Sequence, residues 1–156
     1  MSSKTNNFKK THSINSWLNL ILSIVVVILV FISIIINLFA QPDENFKEVG
    51  LKTFRMFTVL SNILVGITSA MSIPFAVDGI RKRNYHLPRW IINFTFISMT
   101  CITLTFLISL FILSPHSGFV WIMLSNSNLF LHTIIPITSI TLFLFINTSH
   151  NLKFKA

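Results

Sequence analysis

Residues 17–40 read "WLNLILSIVVVILVFISIIINLFA", a run of 24 residues with no formal charge. A helix needs roughly 20 apolar residues to cross the hydrocarbon core of a bilayer. The same test applied outward from this run sorts the rest of the chain. No Asp, Glu, Lys or Arg occurs in residues 11–42, 56–77 or 90–152. The first two stretches each hold one span. The third holds two, separated by "SPHSG" at 114–118. Only 10% of the 156 residues are charged, against about 25% in a soluble domain. The expected architecture is all-α: a polytopic integral membrane protein with four transmembrane helices, at 16–40, 54–77, 90–113 and 128–147. Residues 14–149 form one four-helix domain. A basic segment, 1–13, precedes it, disordered or at the interface, and a basic tail, 150–156, follows.

The net charge of +8 is distributed by loop. Lys4, Lys9 and Lys10 precede the first helix, Arg81, Lys82, Arg83 and Arg89 fall between the second and third, and Lys153 and Lys155 end the chain. The loop after the first helix balances Lys47, Lys52 and Arg55 with Asp43, Glu44 and Glu48. Excess Lys and Arg mark the cytoplasmic side, so both termini are expected in the cytoplasm of a cell-membrane protein. The basic residues then act as topology signals and contacts for anionic lipid headgroups, not for nucleic acid. The run at 17–40 exceeds a signal-peptide core and "LFAQP" lacks an A-x-A pattern, so an uncleaved helix is expected. The lone Cys101 has no intrachain disulfide partner, and core packing is its expected role.

The helices differ in their polar content. The first, rich in Ile and Val, reads as a lipid-facing anchor. The second carries Thr58, Ser61, Asn62, Gly66, Ser69 and Ala70, largely on one helical face. Gly66 and Ala70 form a small-xxx-small pair that admits a close neighbour. Thr95, Ser98, Thr105 and Ser109 on the third read as packing hydroxyls that bond to their own helix. "FVWIML" (119–124) is too short to span and reads as an interfacial or re-entrant piece. In the fourth, Pro136 is expected to kink the helix and free a carbonyl near His132.

Thr58 and His132 each lie about four residues into an outside-to-inside helix, roughly 6 Å below the outer boundary. A hydroxyl and an imidazole at one depth are what nucleophilic catalysis needs, because a hydroxyl requires an adjacent base. No carboxylate lies in a membrane helix to complete a triad. Asn128, one turn before His132, is the expected orienting residue. Ser61, Asn62 or backbone amides would serve an oxyanion, and the sequence leaves the choice open. No metal site is expected, since His132 has no histidine at i+4, and no cofactor is implied. Alternatively, these polar residues only bridge helices in a non-catalytic assembly partner or lipid-binding module.

"FRMFTVLSNILVG" (54–66) and "NLFLHTIIP" (128–136) resemble motifs of the androgen-induced protein and androgen-dependent TFPI-regulating protein family, in its bacterial branch. The resemblance runs from about residue 50 to 147. It implies a membrane threonine hydrolase acting on lipid-like substrates, fatty-acid esters of hydroxy fatty acids. Thr58 matches the family's nucleophile and His132 its base. Family members often have six helices, so the resemblance implies a form short of the C-terminal helices, closing its cavity as a homo-oligomer.

Overall fold

The computed structural model describes residues 2–39, 56–82, 87–124 and 128–149. The external loop at 41–53, Tyr85 and the tail at 150–156 lie outside them. Among the described residues the chain is helical, with no strand. Helix α1 spans Ser2–Phe39, α2 Phe57–Lys82 and α3 Arg89–Ile108. A π-helical turn, π1 (Ser109–Leu113), leads into a short α4 (Ser114–Ser117). Two further π-helical pieces follow, π2 (Val120–Leu124) and π3 (Leu129–Ile134), the latter running into α5 (Ile135–Ser149).

Three stretches, Ser16–Phe39, Phe57–Lys82 and Arg89–His116, are long and apolar enough to cross a membrane, and Leu129–Leu144 is a shorter apolar helix. This is the composition of an all-α multi-pass membrane protein. α1 extends back through the polar segment 2–13, where an unstructured or interfacial stretch was expected. The first Pro and Gly of the chain are Pro42 and Gly50, so nothing earlier breaks the helix. α2 outruns its expected end at 77. Asp78 and Lys82 pair at 2.9 Å across one turn, and Arg81 and Lys82 sit at the negative helix terminus.

Each helix faces the bundle with a heptad-like seam. On α1 the buried positions are Ser16, Asn19, Ser23, Val26, Val30 and Ser33, alternating steps of three and four. On α3 they are Ile91, Thr95, Ser98, Ile102 and Thr105, continued by Ser109. This spacing keeps one stripe against a neighbour, as in coiled coils. The outer faces are Phe, Ile and Leu, with Phe31, Phe96 and Phe111 more than half exposed. In water such a surface would be unstable; in lipid it is solvent-matched. α1 is therefore a seam partner as well as a lipid-facing helix.

Cross-helix contacts fix the directions. Ser23 meets Ser72 at 2.9 Å, while Gly66 lies against Val30, so α1 and α2 are antiparallel. Thr68 meets Ser98 and Ser61 meets Thr105, both at 3.1 Å, so α2 and α3 are antiparallel too. α5 closes the ring by packing on α1 and α3. Phe96 and Phe143 tilt together across the last seam with centroids 6.2 Å apart. Of the expected small-xxx-small pair, Gly66 is buried at the α1 contact, but Ala70 is exposed. The close approach is continued by Ser69 and Ser72, which are buried on the same helix.

The break expected at 114–118 falls at its last residue. The helical path continues through Pro115, and the chain turns at Gly118, whose φ of 93° is favoured only by glycine. Gly66 is tight for a different reason. A Cβ there would stand 3.0 Å from Val30 Cγ1 and 3.3 Å from its Cβ. Gly66→Leu is expected to separate α1 from α2 and cost about 1–3 kcal/mol. Thermal unfolding in detergent measures this, and Val30→Ala in the Gly66→Leu background should recover part of the loss.

Candidate functional site

Two prolines shape the end of the bundle where the candidate residues lie. A proline has no N–H to donate and its ring collides with the carbonyl four residues back. Here the helix widens just before each one. The N–H of Ser114 donates to the Ser109 carbonyl, five residues back, immediately ahead of Pro115. The N–H of Ile135 donates to the Phe130 carbonyl in the same i→i−5 pattern, immediately ahead of Pro136. The Ser114 hydroxyl adds a second bond to the Ser109 carbonyl at 2.8 Å. Where Pro136 was expected to free a carbonyl near His132, the chain makes a π turn. π turns are rare and concentrate at functional sites.

Ser109 lies in π1 and His132 in π3. Both are buried, at 2% and 8% exposure, and they meet: Ser109 Oγ is 2.6 Å from His132 Nδ1. Among the described residues, Nε2 has no hydrogen-bond partner. Ser109 was expected to be one of four packing hydroxyls. The other three behave so, with Thr95 donating to the Ile91 carbonyl, Ser98 to Thr95 and Thr105 to Cys101. Spacing gave no sign that the fourth would face an imidazole from another helix.

Asn62 ties α2 to this corner. Its Nδ2 donates to the Thr58 carbonyl at 2.7 Å and to the Leu131 carbonyl at 3.2 Å. The amide orientation follows from these partners, since a flip would set an oxygen against two oxygens. The Thr58 and Leu131 carbonyls thus lie within about 6 Å of each other, bringing Thr58 to the level of the residue before His132. Thr58 itself is half-buried. Both Asn62 hydrogens are committed, and its Oδ1 is buried without a partner. An oxyanion needs donors, so in this arrangement Asn62 has only an acceptor to offer. Ser61 Oγ donates to the Thr58 carbonyl at 2.9 Å and contacts Thr105 Oγ1. Asn128 is half-buried immediately before π3, and the partner at His132 Nδ1 is Ser109.

The remaining pieces frame the site. π2, the "FVWIML" segment, leans on π1 and π3, and Thr133 Oγ1 donates to the Met123 carbonyl at 2.8 Å. An apolar groove of about 370 Å³ runs between α3 and α5, lined by Phe96, Met99, Thr100, Leu104, Leu107 and Phe143 among others. It does not include Thr58 or His132, but its Leu107 end is two residues from Ser109. Among the described residues, no cluster of His, Cys, Asp and Glu could hold a metal ion. No family model matches the chain, and neither a curated protein nor a solved structure matches it.

Asn62→Ala should lower stability in detergent by roughly 0.6–2 kcal/mol, the range for interhelical bonds in membranes. Asn62→Asp should cost more, because its oxygens would face two carbonyl oxygens. Thermal unfolding of the two variants side by side checks the order.

Proposed function

We propose that this protein is an integral-membrane lipid-ester hydrolase in which Thr58 is the nucleophile and His132 the base. The observation that supports the reading is the Asn62 amide, bonded to the carbonyls of both Thr58 and Leu131. It joins a hydroxyl-bearing turn of α2 to the turn that carries His132, 74 positions along the chain. In the proposed reaction Thr58 Oγ1 attacks the acyl carbonyl carbon while His132 takes its proton. The tetrahedral oxyanion collapses, the ester C–O bond breaks, and the proton passes to the departing alkoxide to give the alcohol. Water then attacks the acyl-threonine with the same base, releasing the fatty acid and restoring Thr58.

The substrate class follows from the surroundings. An ester that reaches a bundle corner from within the bilayer brings its hydrocarbon chain with it. The groove between α3 and α5 offers that chain an apolar bed whose Leu107 end lies beside the Ser109 turn. Fatty-acid esters of hydroxy fatty acids fit this class. In the proposed topology both termini are cytoplasmic, the site lies near the outer boundary, and substrate enters sideways from the outer leaflet. A second copy of the chain would shield the open side of the groove.

A second reading is favoured by the Ser109–His132 bond itself, which joins α3 to the α5 arm as a bridge between helices. In that reading the protein is a non-catalytic multi-pass partner or lipid-binding module. Labelling with a lipid-like fluorophosphonate in detergent, with the modified peptide mapped by mass spectrometry, separates the two. The hydrolase reading expects the label on Thr58, retained in part by Thr58→Ser and abolished by Thr58→Ala and by His132→Ala, with folding intact. An unlabelled, folded wild-type protein would leave the bridging role as the function of these residues.

A further inference from the structure

We infer that Ser109 is the positioning residue for His132, holding the ring at Nδ1 so that Nε2 is the nitrogen left to take the nucleophile's proton. The inference rests on the hydrolase reading. It begins from an absence within the bundle. A histidine acting as base needs a partner on its other ring nitrogen to fix both orientation and tautomer. No carboxylate lies in the apolar part of any described helix. A charged partner at that depth would be costly, whereas a hydroxyl is not. Ser109 supplies the hydroxyl at 2.6 Å, from another helix, 23 residues earlier in the chain.

The surrounding backbone is built for this contact. Each partner sits in a π turn that ends one residue before a proline. The Ser109 carbonyl is held twice, by the Ser114 N–H and by the Ser114 hydroxyl. Thr133, next to His132, is fastened to the Met123 carbonyl. Both ends of the Ser109–His132 bond are thus anchored independently of it.

Exposure separates positioning from attack. A nucleophile must reach an acyl carbon. Ser109 is 2% exposed and walled in by the seam, while Thr58 is half-buried on α2. Ser109 therefore acts through the imidazole and touches no substrate. In this arrangement Nδ1–H donates to Ser109 Oγ, and the lone pair is on Nε2.

The test reads the tautomer directly. The full-length protein is prepared in detergent with ¹⁵N-labelled histidine, and the ring signals of His132 are identified by their loss in His132→Gln. Wild-type His132 is expected to carry its proton on Nδ1. Ser109→Ala should convert this to a mixture of tautomers, and Ser109→Thr should restore the single form. Fluorophosphonate labelling of Thr58 should slow at least roughly tenfold in Ser109→Ala and recover in Ser109→Thr. A wild-type ring protonated on Nε2, or a tautomer unchanged by Ser109→Ala, overturns the inference. The wild-type spectrum decides even if the alanine variant does not fold. Absent labelling of wild-type Thr58 would instead overturn the hydrolase reading, a failure the spectra do not mimic.

Discussion

A hydroxyl of one helix bonded to a hydroxyl of the next is the interaction on which this bundle depends. Lipid offers neither a hydrogen-bond partner nor a hydrophobic penalty for apolar surface, so helices gain little by hiding leucine from it. What they gain is close packing and a place for polar groups. Ser23 with Ser72, Ser61 with Thr105 and Thr68 with Ser98 each join adjacent helices at 3.1 Å or less. Most of these hydroxyls also bond to a carbonyl of their own helix, so none needs water. The small side chains that permit this let the backbones approach, and Gly66 beneath Val30 is the tightest example.

This inversion explains what could be read from the residues. Long charge-free runs announced the class, because length and hydropathy are set by the bilayer. The interior face was harder. In α1 the seam is Ser16, Asn19, Ser23 and Ser33 with two valines, while the large Ile and Phe side chains face outward. Looking for an apolar stripe in that helix finds the lipid side. The polar residues of α2 gave its face correctly at Asn62, Gly66 and Ser69, and misjudged Ala70, which points out. Small size permits burial without requiring it.

The candidate site was legible in part for similar reasons. Thr58 and His132 stand out because polar residues in a membrane segment demand a partner. Asn62 proved to be the tie between their helices, a role its position four residues after Thr58 suggested only by the i+4 geometry. Ser109 carried no such mark. Its spacing matched Thr95, Ser98 and Thr105, and only the fold separates a hydroxyl that turns back to its own carbonyl from one that meets a ring. The π turns were equally hidden. Pro115 and Pro136 announce a disturbance, but whether a helix kinks, stops or widens depends on what the neighbouring helices require.

Widening has a topological meaning. A π turn holds one residue more than the α-helical turn it replaces, as if a single amino acid had been spliced into a regular helix. In α3 that extra residue falls between the seam and Pro115. Deleting one residue from 110–113 would let the helix close into ordinary α geometry without loss of a hydrogen bond. It would also rotate everything beyond by about 100° relative to Ser109. Ser114, Pro115 and the turn at Gly118 would then face elsewhere, and the arm carrying His132 would enter the bundle at a different angle. The spacing between the two prolines and their π turns thus works as a phase lock: helix length alone is free to vary elsewhere, but between Ser109 and Pro115 the count of residues is itself part of the site.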